Sequence, residues 1–390
     1  MSDTIPTVKL KKNLRKSILQ GHPWLYLDAL DLPKNLNSAK LCKVIDNKKN
    51  FVCWGMFCPN SPIAVRVLSL KKMSPGTTDY SENLSKALAL RQKIISQETN
   101  CFRLVNGEGD LMPGLICDVY NDLAVLQFDG SDPYSFWDRD FIADWLLKHL
   151  EVKSVFYKPR HDSATKPQTW GESLDASLIR VKENNIHFFV DCESGQKTGF
   201  FLDQRDNRKY VKHIARDTKL LNLFSYSGGF SVYAGVGGAQ SVTSVDIADG
   251  ALKLAEKNWL ENGLSKEKHK VECADVFEYS TQYQQKYDVV ICDPPSLAKS
   301  EKQKPLAIEK YKELFSNAAD LVKTNGHLVL SSCSSHISFD DFYEIVIAAL
   351  SSSRKRGQIL RFNGQGFDHP YPHVCSQLRY LKFMDLVIYD

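Results

Sequence analysis

Three acidic residues in the second half of the chain each end a short apolar segment typical of a β-strand. They are Asp246, Asp275 and Asp293. A carboxylate at the end of a strand can accept hydrogen bonds from both hydroxyls of a ribose, or from the amino group of a base. Because ligands of parallel sheets bind beyond the carboxyl ends of the strands, we expect the three acids to lie close together. The pattern indicates an adenosine-type cofactor, with Asp246 on its ribose and Asp275 on its adenine.

A glycine-containing turn precedes the first of these acids. Ser225–Gly229 follows the apolar run Leu220–Phe224 and leads into a helical pattern over Phe230–Val236. Glycines let the backbone come close to a ligand that side chains would hold away. Many strand-to-helix turns contain two glycines for steric reasons alone, and this turn lacks the full six-residue dinucleotide pattern. The turn alone favours a packing role, whereas the turn followed by three strand-end acids favours a nucleotide site.

The elements that would hold these residues alternate between strand and helix from about Gly195 to the C-terminus. This order predicts an α/β fold with a mostly parallel sheet covered by helices on both faces. The apolar run Gly326–Ser331 predicts another strand of that sheet, which is followed by Ser332-Cys333-Ser334. We expect this last domain to comprise residues 193–390.

Two smaller domains are predicted before it. Short β-like runs separated by turn-forming residues predict a small β-barrel over residues 1–75, and Ser74, Pro75 and Gly76 mark the linker. Residues 76–192 combine helical patterns with several strand-like runs, which predicts an α+β domain that bridges the other two. At 390 residues the chain is long enough for two or three domains that each bury a core.

Composition argues against several classes of protein. No stretch approaches the roughly 20 apolar residues of a membrane span, and the N-terminus lacks the apolar run of a secretory signal. We therefore expect a cytoplasmic protein. The 10 cysteines include no Cys-x-x-Cys pair, which argues against a zinc site and favours reduced, buried thiols. No metal site is predicted.

Charge is distributed unevenly along the chain. Residues 1–72 contain 13 Lys and Arg against 4 Asp, a net charge of +9, and the total of +4 leaves −5 for the remainder. A basic module joined to a mildly acidic body suggests contact with nucleic-acid phosphate, which positions a substrate without reading its sequence. A solvated lysine-rich terminus would give the same count. Exposed edges of the barrel could also pair with a second chain, which would give a homodimer.

Motifs spread over the whole chain resemble those of one enzyme family. They are Gly21–Trp24, Arg103–Asp110, Pro113–Leu115, Gly195–Arg208, Asn222–Gly229, Asp293–Pro295, Ser332–Ser334 and Asp368–Pro370. The family that they resemble is the ribosomal RNA large subunit methyltransferase I group, class I S-adenosylmethionine-dependent enzymes that make 5-methylcytosine in bacterial 23S rRNA. Gly195–Arg208 is the segment most specific to this family, whereas the glycine turn and Asp293–Pro295 occur in many methyltransferases.

The resemblance implies a PUA domain, which is an RNA-binding barrel, followed by the α+β domain and a Rossmann-like class I methyltransferase domain. It also implies S-adenosyl-L-methionine as the cofactor and 23S rRNA as the partner. The residues expected to bind the cofactor are Asn222, Phe224, Ser227, Gly228, Gly229, Asp246, Asp275 and Asp293. The residues expected to contact RNA are Arg15, Lys16, Lys197, Arg205 and Arg208, although the last three could instead bind the carboxylate of the cofactor or form a solvated helix face.

Methylation of carbon 5 of cytosine requires a nucleophilic side chain, because that carbon reacts poorly until a thiolate adds to carbon 6. The resemblance assigns this role to Cys333, which position alone would describe equally well as a buried structural thiol. Cys292 precedes Asp293 on a strand whose successive side chains alternate between faces, so it should face a helix if Asp293 faces the site. Asp293 would hold the cytosine through its ring nitrogen and exocyclic amine.

Two other functions stay open at this point. The Asp-Pro-Pro motif could cradle an amine that is itself methylated, as in N-methyltransferases of guanine or adenine, where an aromatic residue usually follows the prolines. Here Ser296 follows, and Leu297 takes a place often held by Phe in the resembled family. A noncatalytic RNA-binding assembly factor would keep the fold but carry a damaged cofactor motif, whereas the glycine turn and Asp246 are intact.

Overall fold

A computed structural model describes residues 5–33, 36–160, 164–282, 285–298 and 300–389 of the protein. The chain forms two compact units. The first comprises Met1–Lys182, Val190–Leu202 and Phe367–Ser376, and the second comprises Glu183–Phe189, Asp203–Gly366 and Gln377–Asp390. The predicted division into three domains, at residues 75/76 and 192/193, stays a prediction; the first two predicted domains fall largely within the first unit.

The first unit begins with a six-stranded sheet in the spatial order β2-β6-β5-β4-β1-β3. Its strands are β1 (Thr7–Leu10), β2 (Trp24–Tyr26), β3 (Leu30–Asp31), β4 (Lys40–Ile45), β5 (Phe51–Phe57) and β6 (Ile63–Ser69), and the short helix α1 (Arg15–Leu19) follows β1 in sequence. In β4 the fully buried Cys42 and Val44 alternate with partly exposed residues. This period of two places one face of the strand on the apolar core.

A second sheet of the first unit has five strands in the order β11-β10-β9-β8-β7. They are β7 (Cys101–Asn106), β8 (Leu115–Tyr120), β9 (Leu123–Phe128), β10 (Ser154–Tyr157) and β11 (Gln168–Gly171), and the helices are α2 (Thr77–Ile94), α3 (Ser131–Phe136) and α4 (Arg139–His149). The strands β12 (Ile179–Glu183) and β13 (Ile186–Val190) follow in sequence. Buried ion pairs accompany the apolar core here, Arg91 with Asp110 and Arg103 with Asp118.

A seven-stranded sheet forms the centre of the second unit, in the order β16-β15-β14-β17-β18-β20-β19. Its strands are β14 (Lys219–Leu223), β15 (Ser241–Asp246), β16 (His269–Cys273), β17 (Tyr287–Cys292), β18 (Val322–Ser332), β19 (Arg356–Asn363) and β20 (Lys382–Tyr389). The helices are α5 (Arg205–Ile214), α6 (Gly229–Val236), α7 (Asp249–Glu261), α8 (Val276–Gln282), α9 (Lys304–Asp320) and α10 (Phe339–Ser352). Strands β14 to β18 are parallel, and β20 is antiparallel to both β18 and β19.

Continuous apolar runs explain why these strands lie at the centre. Val289–Cys292 of β17 are all fully buried, as expected for a parallel strand covered on both faces. Alternate residues pack on opposite faces of the sheet. Val290 and Cys292 belong to the cluster that contains Phe315 of α9, whereas Val289 and Ile291 belong to the cluster that contains Trp259 of α7. Cys292 therefore faces a helix, as its position next to Asp293 predicted.

The predicted α/β fold is confirmed. The strands that were expected to end at Asp246 and Asp293 are present: β15 ends at Asp246, and β17 ends at Cys292, one residue before Asp293. The run through Asp275 is the exception, because β16 already ends at Cys273. Among the helices of the described ranges, none combines the length and the apolar character that crossing a bilayer requires.

Candidate active site

The carboxyl ends of four parallel strands lie side by side at one edge of the sheet in the second unit. The register pairs Leu223 of β14 with Val245 of β15 and with Cys292 of β17, and it pairs Cys292 with Leu330 of β18. The segments that follow these strands therefore begin next to one another. They carry the glycine turn Ser225–Gly229, Asp293 and Cys333, and Asp246 is the last residue of β15.

The turn after β14 has an uncommon backbone. Phe224 (φ 60°), Tyr226 (φ 47°) and Gly228 (φ 77°) all adopt left-handed conformations. Such conformations are costly for aromatic residues, and they persist mainly where the surroundings enforce them, often at ligand sites. A Cβ atom on Gly228 would lie 2.8 Å from Cβ of Ala255 on α7. Glycine is therefore required at this position for its φ and for the close approach of α7.

Several buried polar atoms in this turn and in the strand before it have no hydrogen-bond partner among the described residues. The hydroxyl oxygens of Ser225 and Ser227 and Oδ1 of Asn222 are buried and accept or donate no hydrogen bond within the part of the chain that the structure describes. Buried polar atoms without a partner are rare in folded proteins. Asn258 Nδ2 donates to the carbonyl of Ser227 at 3.0 Å and fixes the orientation of the turn. The turn thus offers oriented polar atoms that fit the polar groups of a bound cofactor.

Asp246 ends β15 and is half-buried. Its Oδ2 accepts a hydrogen bond from the backbone amide of Tyr226 at 2.8 Å, and its Oδ1 accepts one from the amide of Ala248 at 2.9 Å. An ionised carboxylate can accept about four hydrogen bonds, so this side chain keeps the capacity to bind both hydroxyls of a ribose. The contact with Tyr226 also ties the acid to the glycine turn.

Asp275 is exposed and lies two residues beyond β16. Its Oδ1 accepts a hydrogen bond from the amide of Phe277 at 2.8 Å, at the start of α8. The ring of Phe277 packs edge-on against Phe224 of the glycine turn, with ring centroids 6.0 Å apart. Asp275 thus stands near the turn, and its role toward an adenine amine stays a prediction.

Asp293 is held by a side-chain network that sequence analysis missed. Gln204 Nε2 donates to Asp293 Oδ2 and to Ser331 Oγ, at 3.0 Å in each case. Gln204 Oε1 accepts a hydrogen bond from Asn207 Nδ2 at 2.7 Å, which fixes the orientation of the amide. Gln204 is buried, whereas Asp293 is half-buried. The only available signal was the place of Gln204 inside the family-specific motif Gly195–Arg208.

Cys333 is half-buried and directly follows β18. Its two neighbours are fully buried and hold the thiol-bearing loop in place. Ser332 Oγ donates to Tyr311 OH at 3.0 Å. Ser334 Oγ accepts hydrogen bonds from the amides of Leu297 at 3.1 Å and Ala298 at 3.2 Å. Ser334 therefore joins the loop of Cys333 to the loop that begins with Asp293-Pro-Pro.

Burial distinguishes Cys333 from most of the other cysteines. Burial raises the pKa of Cys292 well above its usual value and raises the pKa of Cys42 to about 12. Such thiols stay protonated and react poorly. Cys273 is the exposed cysteine of the sheet, but it lies at the end of the outer strand β16. Of Cys42, Cys273, Cys292 and Cys333, the last combines partial exposure with a place beside Asp293.

Two of the basic residues that were expected to contact RNA are buried. Arg208 is 2% exposed, and its guanidinium donates to both carboxylate oxygens of Glu183, at 2.8 and 2.7 Å. Arg205 is 4% exposed and lies 3.7 Å from the same carboxylate. Because Glu183 is fully buried, its charge requires such partners. The expectation that Arg205 and Arg208 bind phosphate is therefore corrected: both are internal ion-pair partners.

The other three basic residues belong to the first unit. Lys16 and Lys197 are exposed, and Lys197 Nζ lies 4.5 Å from the centre of the Phe201 ring. Arg15 is half-buried and donates to the carbonyl of Phe51 at 2.8 Å. Their contact with RNA stays a prediction. Within the described ranges, no group of three or more His, Cys, Asp or Glu side chains is arranged to hold a metal ion.

Comparison with protein families gives two matches. The profile of the S-adenosylmethionine-dependent methyltransferase family matches residues 143–353, and the profile of the PUA-like domain matches residues 8–70. The chain is 34% identical to ribosomal RNA large subunit methyltransferase I of Tolumonas auensis, over 96% of this chain and 98% of that protein. It is 33% identical to ribosomal RNA large subunit methyltransferase of Deinococcus radiodurans, over 96% of this chain and 95% of that protein.

Solved structures agree with these matches at the level of the fold. A candidate S-adenosylmethionine-dependent methyltransferase from Streptococcus mutans superposes with a TM-score of 0.86 at 23% identity, covering 98% of this chain and 100% of that chain. A crystal structure of a candidate methyltransferase complexed with SAH gives a TM-score of 0.87 at 23% identity, with the same coverage. The fold is thus shared with these two solved structures.

Proposed function

Since the chain belongs to the S-adenosylmethionine-dependent methyltransferases, and among them to the ribosomal RNA large subunit methyltransferase I family, we propose that it makes 5-methylcytosine in 23S rRNA. The observation that carries the proposal is the place of Cys333 at the end of β18, joined through Ser334 to the loop that carries Asp293. A substrate of this kind would place the protein in the cytoplasm.

In this proposal the glycine turn and two strand-end acids hold the cofactor. S-adenosyl-L-methionine supplies a methyl group bound to a sulfonium, which a carbon nucleophile can accept. Asp246 would bind the ribose hydroxyls, and Asp275 would bind the adenine amine. The methionine part would contact Asn222, Phe224, Ser227, Gly228 and Gly229, with Asp293 beside it. Asn222 Oδ1 and Ser227 Oγ, which have no hydrogen-bond partner in the described ranges, support this assignment because a polar ligand would satisfy them.

Cys333 would make the cytosine ring reactive. Its thiolate adds to carbon 6 and forms a carbon–sulfur bond, while the electron pair of the 5,6 double bond moves to carbon 5. Carbon 5 uses that pair to form a bond to the methyl group, while the bond between that methyl group and the sulfonium breaks and its electron pair stays on sulfur, which leaves as a neutral thioether. A base then removes the proton of carbon 5, and the pair from that bond restores the double bond and expels the thiolate. Cys333 is regenerated, and one proton is released for each methylated base.

Asp293 would hold the cytosine during this reaction. Its carboxyl group can accept a hydrogen bond from the exocyclic amine and share a proton with the ring nitrogen. Withdrawal of charge toward that edge favours addition of the thiolate to carbon 6. The hydrogen bond from Gln204 keeps Oδ2 of Asp293 in one orientation, so the base would meet a prepared acceptor.

Basic residues of the first unit would contact the phosphates of the RNA. Arg15 and Lys16 lie in α1, and Lys197 is exposed near Phe201. Each lost phosphate contact should lower the slope of log affinity against log salt concentration by about 0.7 to 0.9. Such contacts would position the substrate without reading its sequence.

The experiment that tests this function maps methylated bases in large-subunit rRNA after incubation with the protein and cofactor. We expect the wild type and the matched control Cys273→Ala to methylate carbon 5 of cytosine. The Cys333→Ala variant should bind S-adenosyl-L-methionine in calorimetry but leave the RNA unmethylated. Undiminished methylation by Cys333→Ala, or a methyl group on a base nitrogen, would contradict the proposal. A wild type that binds no cofactor would instead indicate a noncatalytic RNA-binding protein.

A further inference from the structure

Lys382 opens β20 and is fully buried. Its ammonium group donates hydrogen bonds to two backbone carbonyls, those of Ser334 and Tyr380, each at 2.7 Å. A lysine carries three donors, so a third N–H remains to be directed elsewhere. Among the described residues, no carboxylate oxygen lies within 4.0 Å of Nζ of Lys382. The protein thus buries an ammonium ion without a carboxylate partner, which is unfavourable unless another group offsets the charge.

Cys333 is the group best placed to offset that charge. The carbonyl that Lys382 contacts belongs to Ser334, the residue that directly follows Cys333. Burial lowers the pKa of Lys382 to about 8, and the negative charge that most opposes this effect is that of Cys333, followed by that of Asp341. Asp341 is already engaged, since its carboxylate pairs with Lys304 at 2.8 Å and accepts hydrogen bonds from Ser338.

Two basic side chains near this loop have acidic partners: Lys304 pairs with Asp341 at 2.8 Å, and Nδ1 of His336 lies 3.2 Å from Oε2 of Glu301. From α9, Tyr311 contacts both serines beside Cys333, and burial raises its pKa to about 12, so it stays neutral. From α10, Asp341 has a lowered pKa because of the hydrogen bonds from Lys304 and Ser338, which outweigh its burial, so it is an anion. Asp293 follows the neighbouring strand β17. Lys382 is therefore the cation whose hydrogen bond reaches the residue next to Cys333.

We propose that Lys382 is a positioning residue that stabilises the thiolate form of Cys333 and fixes the loop of Ser334 beside it. The inference rests on the proposed function, in which the thiolate of Cys333 is the nucleophile. A nearby cation favours the thiolate, which is the reactive form of cysteine. Lys382 itself forms no bond to the substrate. It acts through the charge of its ammonium and through its hydrogen bond to the carbonyl of Ser334.

The test measures the pH dependence of alkylation of Cys333 by iodoacetamide, followed on the Cys333 peptide by mass spectrometry so that the other cysteines do not contribute. Lys382→Met keeps a similar volume and removes the charge, so it should fold, and it should move the midpoint of the profile upward by about 1 to 3 pH units. Lys382→Arg should restore the midpoint at least in part. Lys323→Met, on the distant start of β18, is the matched control and should leave it unchanged.

An unchanged midpoint in Lys382→Met would overturn the proposal, as would a shift of equal size in Lys323→Met. If the Met variant does not fold, Lys382→Gln takes its place with the same expected shift. The readout needs neither RNA nor methyl transfer, so its result is independent of the proposed function. A shifted midpoint together with undiminished methylation by Cys333→Ala would support the effect of Lys382 on Cys333. It would also show that the thiol has no catalytic role.

Discussion

Gln204 Nε2 bridges Asp293 Oδ2 and Ser331 Oγ at 3.0 Å from each. Gln204 occupies the position before the first residue of α5, Asp293 follows β17, and Ser331 lies near the end of β18. One buried amide therefore fixes the acid relative to the strand that delivers Cys333. The distance between the carboxylate and the thiol should depend on this contact.

Replacing Gln204 should impair catalysis more than cofactor binding. Gln204→Leu keeps the volume but removes the donor to Asp293, and a hydrogen bond to a charged group contributes about 1.5–3 kcal/mol. If that energy is expressed in the transition state, kcat falls by about 10- to 100-fold. Steady-state kinetics and calorimetry with S-adenosyl-L-methionine check this. Gln358→Leu, on the exposed face of β19, is the control. An equal loss of cofactor affinity in Gln204→Leu would contradict the assignment to catalysis.

Removing the hydroxyl of Ser334 should separate the two loops that it joins. Ser334→Ala leaves the amides of Leu297 and Ala298 without their acceptor. Unsatisfied buried donors cost about 1–3 kcal/mol, so the free energy of unfolding should fall by that amount. Ser335→Ala, at the exposed neighbouring position, should change it by less than about 0.5 kcal/mol. Urea denaturation compares the two variants, and equal stabilities would show that the contact contributes nothing.

Gly228 and Gly250 offer a matched pair of glycine substitutions. Gly228→Ala would place Cβ 2.8 Å from Cβ of Ala255 and force a left-handed φ on alanine, so we expect a loss of about 1–3 kcal/mol in the free energy of unfolding. Gly250 lies in α7 with open space around its Cα, and Gly250→Ala should stabilise the protein by about 0.5–1 kcal/mol. Chemical denaturation measures both. A neutral Gly228→Ala variant would contradict the close packing of the turn on α7.

The corrected role of Arg208 predicts a loss of stability without a loss of RNA affinity. Arg208→Met leaves the buried carboxylate of Glu183 with the more distant Arg205, at 3.7 Å, and breaking a buried ion pair costs about 3–5 kcal/mol. Lys209→Met, at the exposed next position, should leave the stability nearly unchanged. Denaturation and RNA titration of folded protein are the measurements. A stable Arg208→Met variant with weakened RNA binding would instead support the original expectation that Arg208 contacts phosphate.

The order of strands and helices in the second unit could be read from the sequence because local patterns determine it. Parallel strands buried on both faces give continuous apolar runs, such as that of β17, and turn-forming glycines mark their ends. The end of β16 was misplaced because Asp275 was taken as the last strand residue, whereas it follows the strand and contacts the first turn of α8.

The contacts that shape the site could not be read from the sequence because they join distant segments. Gln204 and Asp293 are 89 positions apart, and Ser334 is 37 positions from Leu297. The error at Arg208 has a similar origin. Arg205, Arg208 and Val211 recur at a spacing of three and share the buried face of α5. Burial of the two arginines could be predicted only once Glu183 was known to be their partner, because an unpaired charge is not expected in the interior.

Trapping on a modified substrate tests the central claim that the thiolate of Cys333 adds to the base. In large-subunit rRNA containing 5-fluorocytidine, carbon 5 carries no proton to remove, so the thiol cannot leave after methyl transfer. We expect a stable protein–RNA adduct, detected by intact mass, whose cross-linked peptide contains Cys333 and which is absent in Cys333→Ala. A wild type that methylates the unmodified RNA but forms no adduct with the fluorinated RNA, or an adduct on another residue, would contradict the account.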